Sequence, residues 1–230
     1  MFSVIFEVHP GEGKTDEYLA HARELKPILE GIDGFIDNER FESRSRPGWV
    51  LSHSTWRDEK SVLRWRTQFR HHEIQEKGRF AVFSDYHLRV GEVTADTHPP
   101  EGVPVREQRF DETEVGRAKL CTIVELTPQK GNELPKHEDE VLQAVRLDRD
   151  APGLHAVEVW DSIYVPGKIL VLGSWAEASD ASAFRPSEVP EAATVRSRAV
   201  RVIRDYGMFD RRETPQYFPD ARSRNRPPPA

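Results

Sequence analysis

The chain has 230 residues, of which 37% are apolar, 31% charged and 9% aromatic, enough apolar material for a packed core and too much for a chain disordered throughout. No run approaches the roughly 18–20 uninterrupted apolar residues of a membrane helix, and Met1-Phe2-Ser3-Val4 lacks a basic, apolar leader, so a cytoplasmic protein with no membrane partner is expected. A net charge of −6 gives no reason to expect nucleic acid, and a single cysteine, Cys121, excludes an internal disulfide. Small molecules and protein partners remain.

In chain order, Phe2 to Val8 reads as a strand, and Thr15 opens a helix with Tyr18, Ala22, Leu25 and Leu29 at helical spacing. Gly31 and Gly34 stop it. Phe35 to Glu42 and Trp49 to Trp56 form a hairpin around the polar turn Ser43–Gly48. Asp58 then caps a second helix carrying Val62, Trp65, Phe69 and His72 on one stripe; Gly78 ends it, and Phe80 to Val93 is a strand. The order β-α-β-β-α-β is the ferredoxin-like split unit.

The same order returns. At a spacing of 119, Gly34 matches Gly153, Pro47-Gly48 matches Pro166-Gly167, and Trp56 matches Trp175. The second set runs Leu120 to Leu126, a helix around Leu134 to Val145, Leu154 to Trp160, Lys168 to Trp175, a short helix near Ala178 to Phe184, and Ala199 to Phe209. Pro186 and Pro190 interrupt its second helix. A tandem duplication is therefore expected, with domains at 1–93 and 118–212, a Pro-rich acidic linker at 94–117 and a Pro/Arg-rich tail at 213–230 whose composition predicts few contacts.

Gly34-Phe35 at the hairpin, the run STWRDEKSVLRWR at 54–66, and HHEIQEKGR followed by FSDYHLRV make residues 1–93 resemble the antibiotic biosynthesis monooxygenase family; 118–210 resembles it more loosely. The resemblance implies an α+β fold in which two ferredoxin-like units close a dimeric α+β barrel, here supplied within one chain. It also implies a cofactor-independent monooxygenase acting on a small aromatic or quinone-type compound, or alternatively a haem-binding or haem-degrading protein, or a non-catalytic ligand-binding barrel. The two-domain chain could itself pair as a homodimer.

In that family the cleft between second helix and sheet holds the ligand, and Trp65 matches the helix tryptophan that lines it. His72, an imidazole on an otherwise apolar stripe, must find a partner or a task; it is the candidate base, or haem ligand. Phe69 and Arg66 on the helix, and Tyr86, His87 and Arg89 on the last strand, are the candidate substrate-binding residues. Because Tyr86 and His87–Arg89 alternate, only one face of that strand can look into the cleft. His71 is rotated by about 100° from His72 on a straight helix, which rules out a shared metal ion, and no other metal-ligand spacing occurs. Haem-degrading relatives carry an asparagine on the first strand where this chain has Phe6 or Glu7. The second unit offers Phe184 for Trp65 and no histidine for His72, so the site is expected in the first unit alone, with Cys121 a small buried residue.

Overall fold

The computed structural model describes residues 1–110, 116–186 and 188–210. The tail from Glu213, for which few contacts are expected, lies outside them. Eight strands close a barrel in the order β1-β3-β2-β6-β7-β5-β8-β4, with every neighbouring pair antiparallel. The first unit contributes β1 (Phe2–Pro10), α1 (Thr15–Glu30), β2 (Phe35–Ser43), β3 (Val50–Trp56), α2 (Glu59–Arg66), α3 (Phe69–Lys77) and β4 (Phe83–Asp96). The second contributes β5 (Leu120–Pro128), α4 (Glu138–Val145), β6 (Leu154–Ser162), β7 (Ile169–Trp175), α5 (Ala178–Ala181) and β8 (Ala192–Gly207). The fold is thus the α+β barrel of two ferredoxin-like units, both on one chain.

The two sheets meet along two seams. β4 runs beside β8 from His87–Gly207 to Asp96–Arg198, and β2 touches β6 only from Phe41–Ser162 to Ser43–Trp160. The period of two in each strand then sends alternate side chains to the helices and to the barrel interior. Phe2, Val4, Phe6 and Val8 of β1 face the helices, while Ser3, Ile5 and Glu7 face inward, as do His53 and Thr55 of β3 and Cys121 and Ile123 of β5.

The interior mixes an apolar cluster around Ile5, Phe41, Leu51, Ile123 and Trp160 with buried ions. Glu7 pairs with Arg89 and Arg46, Arg46 also with Glu158, and Glu125 with Arg198 and Lys168. Burial raises the Glu7 carboxyl, but Arg89, His87 and Arg46 outweigh it and hold it below the ordinary range. Burial likewise opposes Glu125, and Arg198, Lys168 and His53 overcome it to bring its pKa to about 2. His53, 2% exposed, accepts or donates one bond with Ser3 Oγ at 2.7 Å, and burial, then Arg198, keep it neutral.

Local chemistry explains the shared hairpin entry. Gly34 and Gly153 have φ of 90° and 77°, and a Cβ on either would collide with Ser61 or Asp180 of the following helix start. The segment after β4 packs Val103 and Val105 against the interior cluster. The helix expected over Leu134–Val145 begins only at Glu138, since Pro135 precludes an earlier interior turn and the Glu140 side chain caps back to the His137 amide. None of the described helices is long and apolar enough to cross a membrane.

Candidate functional site

Between the sheet of the first unit and its helices lies a cavity of about 170 Å³. Its roof is Ala22, Leu25 and Leu29 of α1, Val62 and Trp65 of α2, and His71 and Ile74 of α3; its floor is Val4, Phe6, Asn38, Arg40, Ser52, Ser54, Leu88 and Val90. A second, outer chamber of about 390 Å³ shares Phe6, Arg66, Gln75, Phe83, Leu88 and Tyr206 with it and adds Phe69, His72, Arg79 and Tyr86.

The single second helix expected through 58–77 is broken. Thr67 Oγ1 donates to the Leu63 carbonyl at 2.9 Å, Gln68 turns extended at φ −65° and ψ 126°, and its side-chain oxygen accepts from His71 N at 2.8 Å, capping a new helix. The restart shifts the helical phase, so the 62–65–69–72 stripe does not persist. Phe69 is 73% exposed, and His72 borders the outer chamber. A wide π-type turn over Gly78–Val82 then delays β4 to Phe83, where the sequence suggested Phe80.

The same shift brings His71 onto Trp65. Their rings stack at 3.9 Å between centroids with planes 14° apart, and His71 Nδ1 donates to the Trp65 carbonyl at 2.8 Å. That bond assigns the proton to Nδ1, and no bond from the described residues reaches Nε2, which is left as the basic nitrogen. Burial lowers the imidazole pKa to about 4, against the small opposing effect of the carbonyl, so the ring is neutral at physiological pH. Sequence reasoning passed over His71 because it assumed one unbroken helix.

The floor carries the polar groups. Asn38 Nδ2 donates to Ser52 Oγ at 3.1 Å and to the His53 carbonyl at 2.9 Å, which fixes the amide beneath the cavity. The 119-residue register supplies an internal comparison, because β2 and β6, and β3 and β7, correspond without a gap. Asn38, Arg40, Ser52 and Ser54 correspond to Val157, Val159, Val171 and Gly173 in the second unit. There Val141, Leu142, Val145 and Trp175 close the space, and Phe184, standing where Trp65 stands, packs 6.1 Å from Trp175. Aligning the two units position by position would have revealed this polar floor.

Of the residues singled out from sequence, Trp65 and Arg66 line the inner cavity, and Arg66, Phe69, His72 and Tyr86 line the outer chamber. His87 and Arg89 are corrected. They occupy the opposite face of β4, where the partly exposed His87 meets Asp205 Oδ1 through Nε2 at 2.5 Å and the buried Arg89 bonds Glu7, Ser174 Oγ at 2.7 Å and Cys121 Sγ at 3.2 Å. Alternation gives the reason: Tyr86 and Leu88 take the helix side, so His87 and Arg89 cannot. Burial pushes the Cys121 thiol up, with Arg89 opposing.

An eight-stranded barrel of two ferredoxin-like units with a helix–sheet cavity in the first defines the class, and comparison with known proteins gives the family. Residues 1–77 match the model of the family "Antibiotic biosynthesis monooxygenase". The jasmonate monooxygenase ABM of Pyricularia oryzae is 43% identical over 227 residues, covering 96% of this chain and all of that protein. The chain belongs to the antibiotic biosynthesis monooxygenase family. Solved structures similar to it include an anthrone oxidase-like protein (14% identity, 90% of this chain and 92% of that one, TM-score 0.34) and a monooxygenase-like protein of Listeria innocua (10%, 88% and 94%, TM-score 0.28).

Proposed function

We propose that the chain is a monooxygenase whose substrate, a small and largely apolar carbonyl compound, binds in the cavity of the first unit. The stacked Trp65–His71 pair on the wall of that cavity is the observation that carries the reading. Family membership supports oxygenation, and the 43% identical relative makes jasmonate the first compound to test.

In this reading Trp65 is the platform for the ring of the substrate, and His71, neutral with a basic Nε2, takes a proton from it. The hydroxyls of Ser52, oriented by the Asn38 amide that donates to it, and of Ser54 face the carbonyl oxygen on which charge develops. No protein-bound cofactor is needed where the substrate anion itself yields electrons to oxygen, as a phenolate or the enolate of an anthrone does. The aromatic or quinone-type substrate class remains the second reading, favoured by the rings of Phe6, Tyr18, Trp65, Phe83 and Tyr206 around the cavity.

Haem suits these residues poorly. His72 borders the outer chamber, β1 presents Phe6 where relatives that degrade haem have an amide, and the inner cavity is smaller than a porphyrin.

Oxygen uptake and product mass with jasmonic acid and with an anthrone test the proposal. The anthrone's methylene should become a carbonyl, its two hydrogens leaving with the second oxygen atom as water, and jasmonic acid supplied with a two-electron reductant should gain one oxygen atom while the other leaves as water, with turnover falling about 100-fold or more in His71→Ala. No uptake with either compound, or uptake indifferent to His71, would overturn it.

A further inference from the structure

The floor of the inner cavity holds a positive charge that no described carboxylate pairs with. Arg40, on β2, lines the cavity, yet among the described residues no carboxylate lies within ion-pair distance of its guanidinium, and its buried Nε, like that of Arg89, Arg198 and Arg201, finds no acceptor there. The polar groups beside it are the phenols of Tyr18 and Tyr164.

Other arginines set into this sheet are matched. Arg89 meets Glu7, Arg198 meets Glu125, Arg196 meets Asp96 and Arg201 meets Glu92. A guanidinium withdrawn from water without a counter-ion is costly, and the chain avoids that cost elsewhere in the barrel. Nor does the fold need a cation at this position. The counterpart of Arg40 in the second unit is Val159, fully buried in the packed core under α4.

Resting on the proposed function and extending it, we infer that Arg40 is the anchor for an anionic group of the substrate, so that the compounds this site takes are small apolar carboxylic acids. A guanidinium offers a planar fork of donors matched to a carboxylate, and here it stands on the polar floor beside Asn38, Ser52 and Ser54, beneath a largely apolar roof. A carboxylate held against β2 leaves the apolar remainder of the molecule to run beneath Val62 and Trp65. Neutral esters and alcohols of the same size lose that anchor and leave the charge unpaired.

Calorimetric titration of the full chain with octanoate and with 1-octanol tests this without any oxidation step, so its outcome is separable from the oxygen-uptake assay. The wild type should bind octanoate about tenfold or more tightly than octanol. Arg40→Met should abolish that preference without lowering the melting temperature, and Arg40→Lys should retain part of it. Equal binding of the two probes by the wild type, failure of octanoate to bind, or a preference that survives in Arg40→Met would each overturn the inference. Should Arg40→Met not fold, Arg40→Gln is read by the same criterion.

Discussion

The imidazole of His71 lies flat on the indole of Trp65, 3.9 Å between centroids, although the two residues belong to different helices separated by the break at Thr67–Gln68. The contact exists because the break exists. On a continuous helix, positions six apart would not face each other. The cap from Gln68 to the His71 amide is therefore part of the site's geometry. Gln68→Ala should cost about 1 kcal/mol of stability and lower turnover by misplacing His71, while His72→Ala should leave turnover nearly unchanged. Urea unfolding and steady-state rates on the two variants check both statements.

His71 also sets a pH dependence. Its pKa in the folded chain, about 4, lies below the ordinary 6.5, so the unfolded state binds the proton more readily. Stability from this group is complete above about pH 6.5 and declines as pH falls toward 4. His71→Phe keeps a ring over Trp65 and removes the titration. Melting temperatures between pH 7 and 4 should fall less steeply in that variant than in the wild type, although His53 adds a slope of the same sign to both.

The interior ions give an independent test away from the cavity. Glu125 stands between Arg198 and Lys168, and Glu125→Gln strands Arg198 in the barrel while Lys168 keeps only Glu39. A loss of about 3–5 kcal/mol is expected by denaturant unfolding. The folded pKa of about 2 means that the contribution of this carboxylate is present above about pH 4.5 and is lost as pH falls toward 2. Wild-type stability should fall across that window more than that of the glutamine variant.

Filling the cavity should uncouple stability from function. Ala22 is 5% exposed and forms part of the roof, so Ala22→Leu places three more carbons in a space of about 170 Å³. The melting temperature should hold or rise, and ligand binding by calorimetry should weaken sharply. A loss of stability with binding intact would show the space to be packed in solution.

Much of the architecture was legible because it repeats. Matching the 119-residue spacing located both hairpins and hence the two units, and alternation along β1 and β4 separated Tyr86 and Leu88 from His87 and Arg89 without saying which pair met the cavity. The helix break was not legible. No proline or glycine marks Thr67–Gln68; the interruption depends on a hydroxyl bonding back to Leu63 and an amide capping forward, and neither residue type signals that by itself. The polar floor was obscured for another reason. β2 carries Asp37, Asn38, Glu39 and Arg40 in succession, so hydrophilicity alone cannot say which face is enclosed.

The filled core beneath α4 has a consequence for how the molecule can change. In an assembly of two identical chains, every substitution is written into both halves, and a valine that closes one chamber closes the other. Joining the halves in one polypeptide frees each position to be set once. Val157, Val159 and Val171 stand in or beside the packed core of the second unit, while Asn38, Arg40 and Ser52 line the cavity of the first, which on the proposed function is the receptive half. Ligand should accordingly saturate at one molecule per chain, and the silent half can absorb stabilising changes that the receptive half would not tolerate.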